Sequence, residues 1–519
     1  MRKKTKITAV LAALLIMSVI LSACASTDNA NTTKGNDENP INTNSDIAEN
    51  QNLNNLNDDL EPADYGGAKF RILYRNGCAR GNWAAYDVHK IEIATEEENG
   101  DVINDALYKR NKNVEERFNV NIVGLPYPAN AGAGADENAV SAYAKKSILG
   151  NADEFDIVVG RSNNIAPIVA EGLFIDWNSI PNINTSKPYW ISDAMDAFTV
   201  NGRTYIAMND IIFPGVVGEA AFIVFNKNLL ANFGLENPYA MVEENRWTID
   251  ILDSIVKGCY VDVNGDGARD VGDLYGFTSD SWGSAYAWMW AGGAHVTAKG
   301  PDGLPYYDLY TERNSNLLDK VHNLFYNNVG SAIRSNKDTI KFGSEGSADQ
   351  AYLFSLGNAL FMLDRVGVLC TQEYRNAPFE FGIVPIPKYD GKQEKYLTMI
   401  NEHASVLTVP KFNGNLDMTG KIVEALACES HKTLVPAYYE VALKTKYSRD
   451  EESVRMLDLI FEGVVYDFGL LYAIPTFDIY QTLLLAGKDS STFASTVEKN
   501  QAKAEKKLQD ILDLYDSIE

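Results

Sequence analysis

The chain has 519 residues, of which 70 are Asp or Glu and 46 are Lys or Arg, so its formal net charge at pH 7 is −24. A charge this negative argues against nucleic acid as a partner and favours a soluble, salt-tolerant surface. The length exceeds what one ordinary hydrophobic core supports and favours two lobes.

The N-terminus has the pattern of an export signal. A basic start is followed by an apolar run and by small residues before Cys24. The run is too short and wrongly flanked for an ordinary membrane span. The tetrapeptide LSAC resembles the bacterial lipobox, which implies removal of residues 1–23 and acylation of the Cys24 thiol, for instance by palmitate. A plain secretory signal is the alternative. We expect a lipid-anchored protein on the extracellular face of the cell membrane.

Residues 24–64 follow as a polar segment rich in Asn, Asp and Thr. Such a segment buries too little apolar surface to order itself, so we predict a disordered tether. The remaining cysteines are widely spaced and form no CxxC motif, which makes a zinc site improbable. Disulfides and free buried thiols both remain open for these cysteines: Cys78, Cys259, Cys370 and Cys428.

Strands and helices alternate after the tether. KFRILYR, residues 69–75, predicts a first strand, and Asp101 is the predicted N-cap of a helix. NVNIV then predicts a strand, NAVSAYAKKSILG a helix ending on Gly150, and FDIVVG a third strand. This alternation implies a parallel sheet that binds ligands beyond the carboxyl ends of its strands. The loops predicted at residues 75–83 and 161–164 follow such ends.

DVNGDGARDVGD, residues 262–273, has the pattern of an EF-hand calcium loop. Oxygen side chains stand at positions one, three, five, nine and twelve, and Gly267 stands at position six, where such loops turn sharply. The alternative is an acidic turn that stays hydrated. The expected ligands of one structural Ca²⁺ ion are Asp262, Asn264, Asp266, Ala268 through its carbonyl at position seven, Asp270 and Asp273.

The segments around this loop argue against a calcium sensor. A predicted helix stops at Gly258, and LYGFTSD after the loop is too rich in Gly and Ser for an exiting EF-hand helix. No second loop is present, and Arg269 occupies a position where paired loops carry an apolar residue. We therefore expect the ion to clamp the helix end to the next strand. Because Asp273 is shorter than the usual Glu, the expected dissociation constant is roughly 0.1–1 mM.

Several segments, taken in order, resemble the landmarks of extracellular solute-binding proteins that feed ABC importers. They are FDIVVG, AEGLFIDW, NGRTYIA, AAFIVFNKNLL, ENRWTIDIL and EFGIVPIPKYD. The carbohydrate-binding branch is the most similar, and NALFMLD and KYSRDEESVRMLDLI fit its lipoprotein members. The resemblance covers roughly residues 69–481.

This resemblance implies an α/β fold of the type II periplasmic-binding-protein kind, with two lobes and a hinge that the chain crosses more than once. It also implies that a monomer captures a carbohydrate between its lobes and delivers it to the importer's permease subunits. The expected boundaries are 65–218 and 408–462 for lobe 1, 219–407 for lobe 2, 463–519 for C-terminal helices, and 218–222 and 402–408 for hinge crossings.

Sugar sites pair aromatic platforms with polar side chains, because sugars present apolar faces ringed by hydroxyls. The resemblance places Asp280 and Trp282 on a ligand-facing loop. Trp83 is either a platform or lobe packing, and Trp288 and Trp290 have the pattern of core residues. The other candidates are a set of polar residues at predicted turns and strand ends, each with a solvated loop, a cap or an ion pair as the alternative: Arg75, Arg161, Asn163, Asp210, Glu219, Asp364 and Arg365.

Enzymatic function finds little support in the sequence. No G-x-S-x-G, H-E-x-x-H or G-x-x-x-x-G-K motif is present, and the five histidines are scattered. We predict a binding protein without catalytic activity. Two alternatives remain. A secreted glycoside hydrolase needs only two suitably placed carboxylates, and a surface adhesin needs no catalytic residue.

Overall fold

The computed structural model describes residues 56–76, 92–128, 139–280, 283–342, 350–370, 374, 377–440 and 450–517. Residues Asn52–Glu519 form one compact unit by their contacts. No helix of the described residues is both long enough and apolar enough to cross a lipid bilayer. Four residues named by the sequence analysis lie outside the described part of the chain: Cys24, Cys78, Trp83 and Trp282.

The described strands are β1 (Ala68–Arg75), β2 (Val120–Tyr127), β3 (Ile157–Arg161), β4 (Ala221–Asn226), β5 (Tyr275–Asp280), β6 (Thr297–Lys299), β7 (Pro305–Tyr307), β8 (Ser331–Arg334), β9 (Ala359–Arg365), β10 (Phe381–Val384), β11 (Thr398–Met399), β12 (Ser405–Thr408) and β13 (Val464–Val465). The described α-helices are α1 (Val102–Phe118), α2 (Ala139–Leu149), α3 (Ser162–Val169), α4 (Ser192–Phe198), α5 (Phe213–Val217), α6 (Lys227–Asn232), α7 (Pro238–Glu243), α8 (Ile249–Lys257), α9 (Gly283–Ala291), α10 (Glu312–His322), α11 (Gln350–Ser355), α12 (Leu416–Lys432), α13 (Leu434–Pro436), α14 (Glu451–Glu462), α15 (Phe468–Leu471), α16 (Ile479–Leu485) and α17 (Phe493–Ser517).

The first sheet has the order β12–β3–β1–β2 within the described part of the chain. Strand β1 pairs in parallel with β2 and β3, and β12 pairs antiparallel with β3. Helix α1 begins after Asp101, whose side chain accepts hydrogen bonds from two N–H groups of the first turn. Helix α2 ends at Leu149, directly before Gly150. The predicted alternation of strands and helices in this region is therefore confirmed.

The second sheet has the order β10–β4–β9–β5–β8 among the described strands. Strands β10 and β9 flank β4 in antiparallel pairing, whereas β5 pairs in parallel with β8 and β9. Residues 218–222 lead into β4 of this sheet and form its first two residues, and residues 402–408 lead into and form β12 of the first sheet. Both predicted crossing segments thus lie where the chain passes from one sheet to the other.

The predicted tether is wrong for its last residues. Leu56 and Leu60 pack against the core. Asp58 is buried and accepts a hydrogen bond of 2.9 Å from Nη2 of Arg117 on α1. Two leucines and one partly buried ion pair provide the anchoring that the polar composition of residues 24–64 concealed. The chain therefore packs as part of the compact unit from residue 56 onward.

Helix α17 contacts parts of the chain that belong to both sheets. Near its start, the ring of Phe493 lies 5.9 Å from that of Tyr310 and 6.0 Å from that of Tyr480. Tyr480 donates a hydrogen bond to a backbone carbonyl of α10, which packs against α9, and α9 contacts β5 of the second sheet. Near its end, Tyr515 lies 5.0 Å from Tyr205, in the segment that pairs with β12 of the first sheet. The helix therefore contacts segments that are far apart in the sequence and that pack near different sheets.

Candidate functional site

Two predicted arginines lie together at the carboxyl edge of the first sheet. Arg75 is the last residue of β1 and Arg161 the last residue of β3, and these parallel neighbours end at the same edge. Both arginines are buried. The predicted loop at residues 161–164 is wrong, because α3 begins directly at Ser162. A Cβ at Gly160 would lie 2.9 Å from side-chain carbons of Ile165, so the glycine permits this close approach of strand and helix.

A short turn at residues 401–404 joins the two sheets at this edge. The N–H of Asn401 donates to the carbonyl of Glu219, 3.1 Å away, just before β4 of the second sheet. The N–H of Ser162 donates to the carbonyl of Ala404 at 3.0 Å, and its hydroxyl donates to the carbonyl of Glu402 at 2.9 Å. The turn therefore brings the start of α3 and the start of β4 to one place.

The second sheet contributes a buried ion pair. Nη1 of Arg365 lies 2.7 Å from Oε2 of Glu219. The two residues face each other because Ala221 pairs with Arg365 in the β4–β9 register. Burial acts to lower the pKa of Arg365, but Glu219 and Asp364 raise it above its ordinary value. The guanidinium is therefore charged at every physiological pH.

Asp364 is a carboxyl group poised near neutral pH. Burial raises its pKa to about 7, although Arg365 opposes the shift. Its oxygens accept hydrogen bonds from the N–H of Arg365 at 2.8 Å and from the hydroxyl of Tyr374 at 3.3 Å. Asp280, at the end of β5, adds negative charge nearby and accepts a hydrogen bond of 2.9 Å from Nε2 of Gln350.

The turn adds two residues that sequence reasoning missed, Glu402 and His403. Burial raises the pKa of Glu402, and the charge of Arg161 opposes this shift. Burial and the positive charge of Arg161 hold the pKa of His403 well below its ordinary value, so its ring is neutral at pH 7. The sequence offered one signal for these two residues, since both lie in the predicted hinge crossing at residues 402–408. Charged side chains in a segment between two lobes are candidates for contact with a ligand.

Together these residues form a cluster with both signs of charge, which we call the strand-end cluster. Electrostatic interactions of Glu402 and His403 reach residues of both sheets. Such a mixture of donors and acceptors suits a polar ligand rich in hydroxyl groups. The cluster consists of Arg75, Arg161, Glu219, Asp280, Asp364, Arg365, Glu402 and His403.

The remaining predicted residues have different surroundings. Asn163 lies in the first turn of α3, and its N–H is 3.5 Å from the carbonyl of Glu402, so it borders the cluster. Asp210 lies apart and pairs with Nδ1 of His431 on α12 at 2.5 Å. Burial raises the pKa of Asp210, and the histidine opposes the shift. Trp288 and Trp290 are core residues, as their pattern indicated.

The predicted calcium loop connects the end of α8 to β5, as expected. Gly267 at position six has a φ of +73°, which favours glycine. The two carboxylate oxygens of Asp262 accept hydrogen bonds from the N–H groups of Gly265 and Gly267, at 2.7 and 2.9 Å. Asp273 is buried and accepts hydrogen bonds from the hydroxyl of Tyr260 and from backbone N–H groups.

Arg269 fixes this loop to the second sheet. Its Nη2 donates to the carbonyls of Val329 and Ser331, at 2.8 and 2.9 Å, and its guanidinium lies over the rings of Tyr260 and Tyr275. Across the described part of the chain, however, no group of three or more His, Cys, Asp or Glu side chains is arranged to hold a metal ion. Calcium binding therefore rests on the sequence pattern and stays a prediction.

A groove with a volume of about 480 Å³ lies away from the strand-end cluster. Its lining residues come from α1 and α12 and are Asn113, Val114, Glu116, Arg117 and Glu429. Within it, Nδ2 of Asn113 donates to Glu429 at 3.0 Å, and Arg117 pairs with Asp58. The groove contains none of the predicted site residues. We therefore place the candidate site at the strand-end cluster.

Comparison with known proteins yields no match to a family model and none to a curated protein. Solved structures do match. UspC of M. tuberculosis is 12% identical with a TM-score of 0.52, over 84% of this chain and 100% of that chain. A cyclo/maltodextrin-binding protein complexed with maltotetraose is 14% identical with a TM-score of 0.52, over 87% and 97%. The maltose/maltodextrin-binding domain MalE from Bdellovibrio bacteriovorus, bound to maltotriose, is 14% identical with a TM-score of 0.51, over 85% and 100%.

Likenesses at such low identity establish the fold. Almost the whole of each matched protein is covered, so the agreement extends over both sheets and their flanking helices. The predicted fold class is confirmed: this chain has the mixed α/β fold of the periplasmic-binding-protein class, which the maltodextrin-binding proteins share.

Proposed function

We propose that this chain binds a carbohydrate reversibly at the strand-end cluster and releases it unaltered. One observation carries the proposal: the turn at residues 401–404 gathers charged side chains from both sheets at the edge where α/β folds bind ligands. Two solved structures of the same fold hold maltotetraose and maltotriose. Arginine, carboxylate and amide side chains together provide the donors and acceptors that sugar hydroxyls require.

We further propose that the protein acts as a monomeric, lipid-anchored receptor that delivers its ligand to ABC permease subunits. The lipobox-like LSAC before Cys24 supports the anchor. Because acylation needs the thiol, Cys24→Ser is expected to move the protein from the membrane fraction into the soluble fraction. Unchanged retention in the membrane fraction would reject the proposed anchor at Cys24. It would not affect the proposal that the protein binds a sugar.

Our proposal for residues 262–273 is that the loop holds one structural Ca²⁺ ion. The oxygen side chains at alternate positions, the positive φ of Gly267 and the ties of Arg269 to the second sheet support a clamp. The carboxylates of Asp262 and Asp266 bond to backbone N–H groups within the loop. Ion binding therefore needs the remaining lone pairs of these carboxylate oxygens, each of which can accept more than one interaction.

A thermal-shift screen tests the binding proposal. Mono- and oligosaccharides, including maltotriose and maltotetraose, are added to the purified protein, with peptides as the control class. We expect at least one sugar to raise the melting temperature, because a ligand bound only by the folded state stabilises it. Sugar products after overnight incubation would favour a glycoside hydrolase. Binding to cells or matrix without any small-molecule ligand would favour an adhesin.

A further inference from the structure

The start of α3 and the neighbouring turn carry polar atoms that have no hydrogen-bond partner among the described residues. They are Oδ1 of Asn163, Nδ2 of Asn164 and Oε2 of Glu402, and all three atoms are buried. Most buried polar side-chain atoms in proteins have a partner, and leaving one without costs about 1–3 kcal/mol. The presence of three such atoms on two adjoining segments therefore requires an explanation.

The backbone holds these three residues on two adjoining segments. The carbonyl of Glu402 accepts hydrogen bonds from the hydroxyl of Ser162 and from the N–H of Asn163. The main chain of the turn is thus fixed against the first turn of α3. Asn163 and Asn164 are neighbours in that turn, so their side chains extend from one short stretch of helix. None of this backbone bonding uses the three unpaired side-chain atoms.

From this arrangement we propose that Asn163, Asn164 and Glu402 recognise a pair of neighbouring hydroxyl groups on the ligand. The inference rests on the proposed carbohydrate binding and identifies which residues set its specificity. The oxygens of Asn163 and Glu402 accept hydrogen bonds, whereas the amide of Asn164 donates one. A hydroxyl group both donates and accepts, so two adjacent hydroxyls satisfy all three atoms.

The surrounding charges favour a neutral ligand at this position. Arg161 and Arg365 lie near Glu402 and disfavour an ammonium group. Glu219 also lies near Glu402, and both carboxylates disfavour an anionic ligand. A sugar ring with vicinal hydroxyls carries no charge and supplies the missing donors and acceptor.

The test compares two buried glutamates in the full chain. Glu402→Gln replaces an acceptor oxygen with a donor at the unpaired position. Glu424→Gln is the matched control, because Glu424 accepts hydrogen bonds from the Tyr189 hydroxyl at 2.6 Å and from Trp190 Nε1 at 3.1 Å. Without ligand, we expect Glu402→Gln to melt within about 2 °C of wild type and Glu424→Gln to melt several degrees lower.

The affinity measurement uses the sugar that most stabilises wild type in a panel containing maltotriose and maltotetraose. We expect Glu402→Gln and Asn163→Ala each to weaken binding at least tenfold, and Glu424→Gln to leave it within threefold. Variants at 163 and 402 that bind within twofold of wild type would overturn the assignment and leave the proposed function standing. A melting temperature of Glu402→Gln as low as that of Glu424→Gln would also overturn it. If the wild-type protein binds none of the sugars, both the assignment of these residues and the proposed carbohydrate binding are rejected.

Discussion

Nη1 of Arg365 lies 2.7 Å from Oε2 of Glu219, and this pair connects the end of β9 to the residues that lead into β4. The side chain of Glu219 is 8% exposed and that of Arg365 is 20% exposed, so solvent screens the pair only weakly. The carbonyl of Glu219 also accepts a hydrogen bond from Asn401 in the turn that joins the sheets. The ion pair therefore supports the centre of the candidate site.

Removing one partner of this pair is expected to destabilise the protein. Glu219→Ala leaves the buried guanidinium of Arg365 with less compensating charge, and we expect a loss of about 3–5 kcal/mol in the free energy of unfolding. Arg365→Met is expected to cost a similar amount. The double variant should lose less than the sum, with a coupling above about 1 kcal/mol in denaturant unfolding. Additive losses would show that the pair is not energetically coupled.

Asp364 predicts a pH dependence with a definite sign. Its pKa is about 7 in the folded protein and its ordinary value is 3.8, so the folded state binds the proton more tightly. The stability that this group contributes is complete below about pH 4 and is lost as the pH rises through about 7. Asp364→Asn cannot lose a proton. Relative to wild type, the variant should therefore gain about 1–3 kcal/mol between pH 4 and pH 8.

Urea unfolding of both proteins at pH 4 and pH 8 measures this difference. The depressed pKa of His403 has the opposite effect, since its contribution is present above about pH 6.5 and lost below. Both proteins contain His403, so the comparison cancels it. A difference between the variants that does not change with pH would show that Asp364 has an ordinary pKa.

Much of the fold was predictable because local patterns determine it. The alternation of β1, α1, β2, α2 and β3 follows from hydrophobic periodicity and caps, such as Asp101 before α1. The position of Arg75 and Arg161 at one edge of the first sheet was predictable because they end neighbouring parallel strands. These inferences need only the sequence near each residue.

Other features depend on contacts between distant segments and were therefore missed. The turn that carries Glu402 and His403 is held at the site by hydrogen bonds from Ser162 to the carbonyls of Glu402 and Ala404 and from Asn401 to the carbonyl of Glu219. Asp210 was predicted to face the ligand, but its partner is His431, more than 200 positions along the chain. The burial of Asp58 depends on Arg117 of α1. Tertiary contacts of this kind leave no periodic signal in the sequence.

Helix α17 should contribute substantially to stability through Tyr515. This residue is fully buried, lies 5.0 Å from Tyr205 and forms a 2.5 Å hydrogen bond between hydroxyls with Tyr472. Tyr515→Ala is expected to lower the free energy of unfolding by about 3–5 kcal/mol. Tyr310→Ala is the control, because Tyr310 is 59% exposed, and we expect a loss below about 1 kcal/mol. Equal losses in the two variants would contradict the role of α17 in joining the parts of the chain.

Calcium is expected to stabilise the protein through residues 262–273. At a concentration about 100-fold above the dissociation constant, bound Ca²⁺ should add about 2.7 kcal/mol to the free energy of unfolding. Asp262→Ala combined with Asp266→Ala should abolish this gain. Asp390→Ala is the matched control, because Asp390 caps another Asx-type turn by accepting hydrogen bonds from two backbone N–H groups.

Thermal unfolding with calcium and with chelator provides the measurement for all three proteins. An equal gain in the double variant would reject this loop as the calcium site. We also expect sugar affinity to change less than about tenfold between calcium and chelator, since a clamp acts on the fold. A larger change would mean that the ion helps to position the binding site.

Isothermal titration calorimetry with a carbohydrate panel measures sugar binding itself. We expect at least one sugar to bind the wild-type protein with one-to-one stoichiometry and to be recovered chemically unaltered. Arg161→Gln, at the end of β3, should weaken that binding at least tenfold, whereas the exposed Arg246→Gln should leave it unchanged. Binding of no sugar, or equal affinity in wild type and Arg161→Gln, would contradict carbohydrate capture at the strand-end cluster.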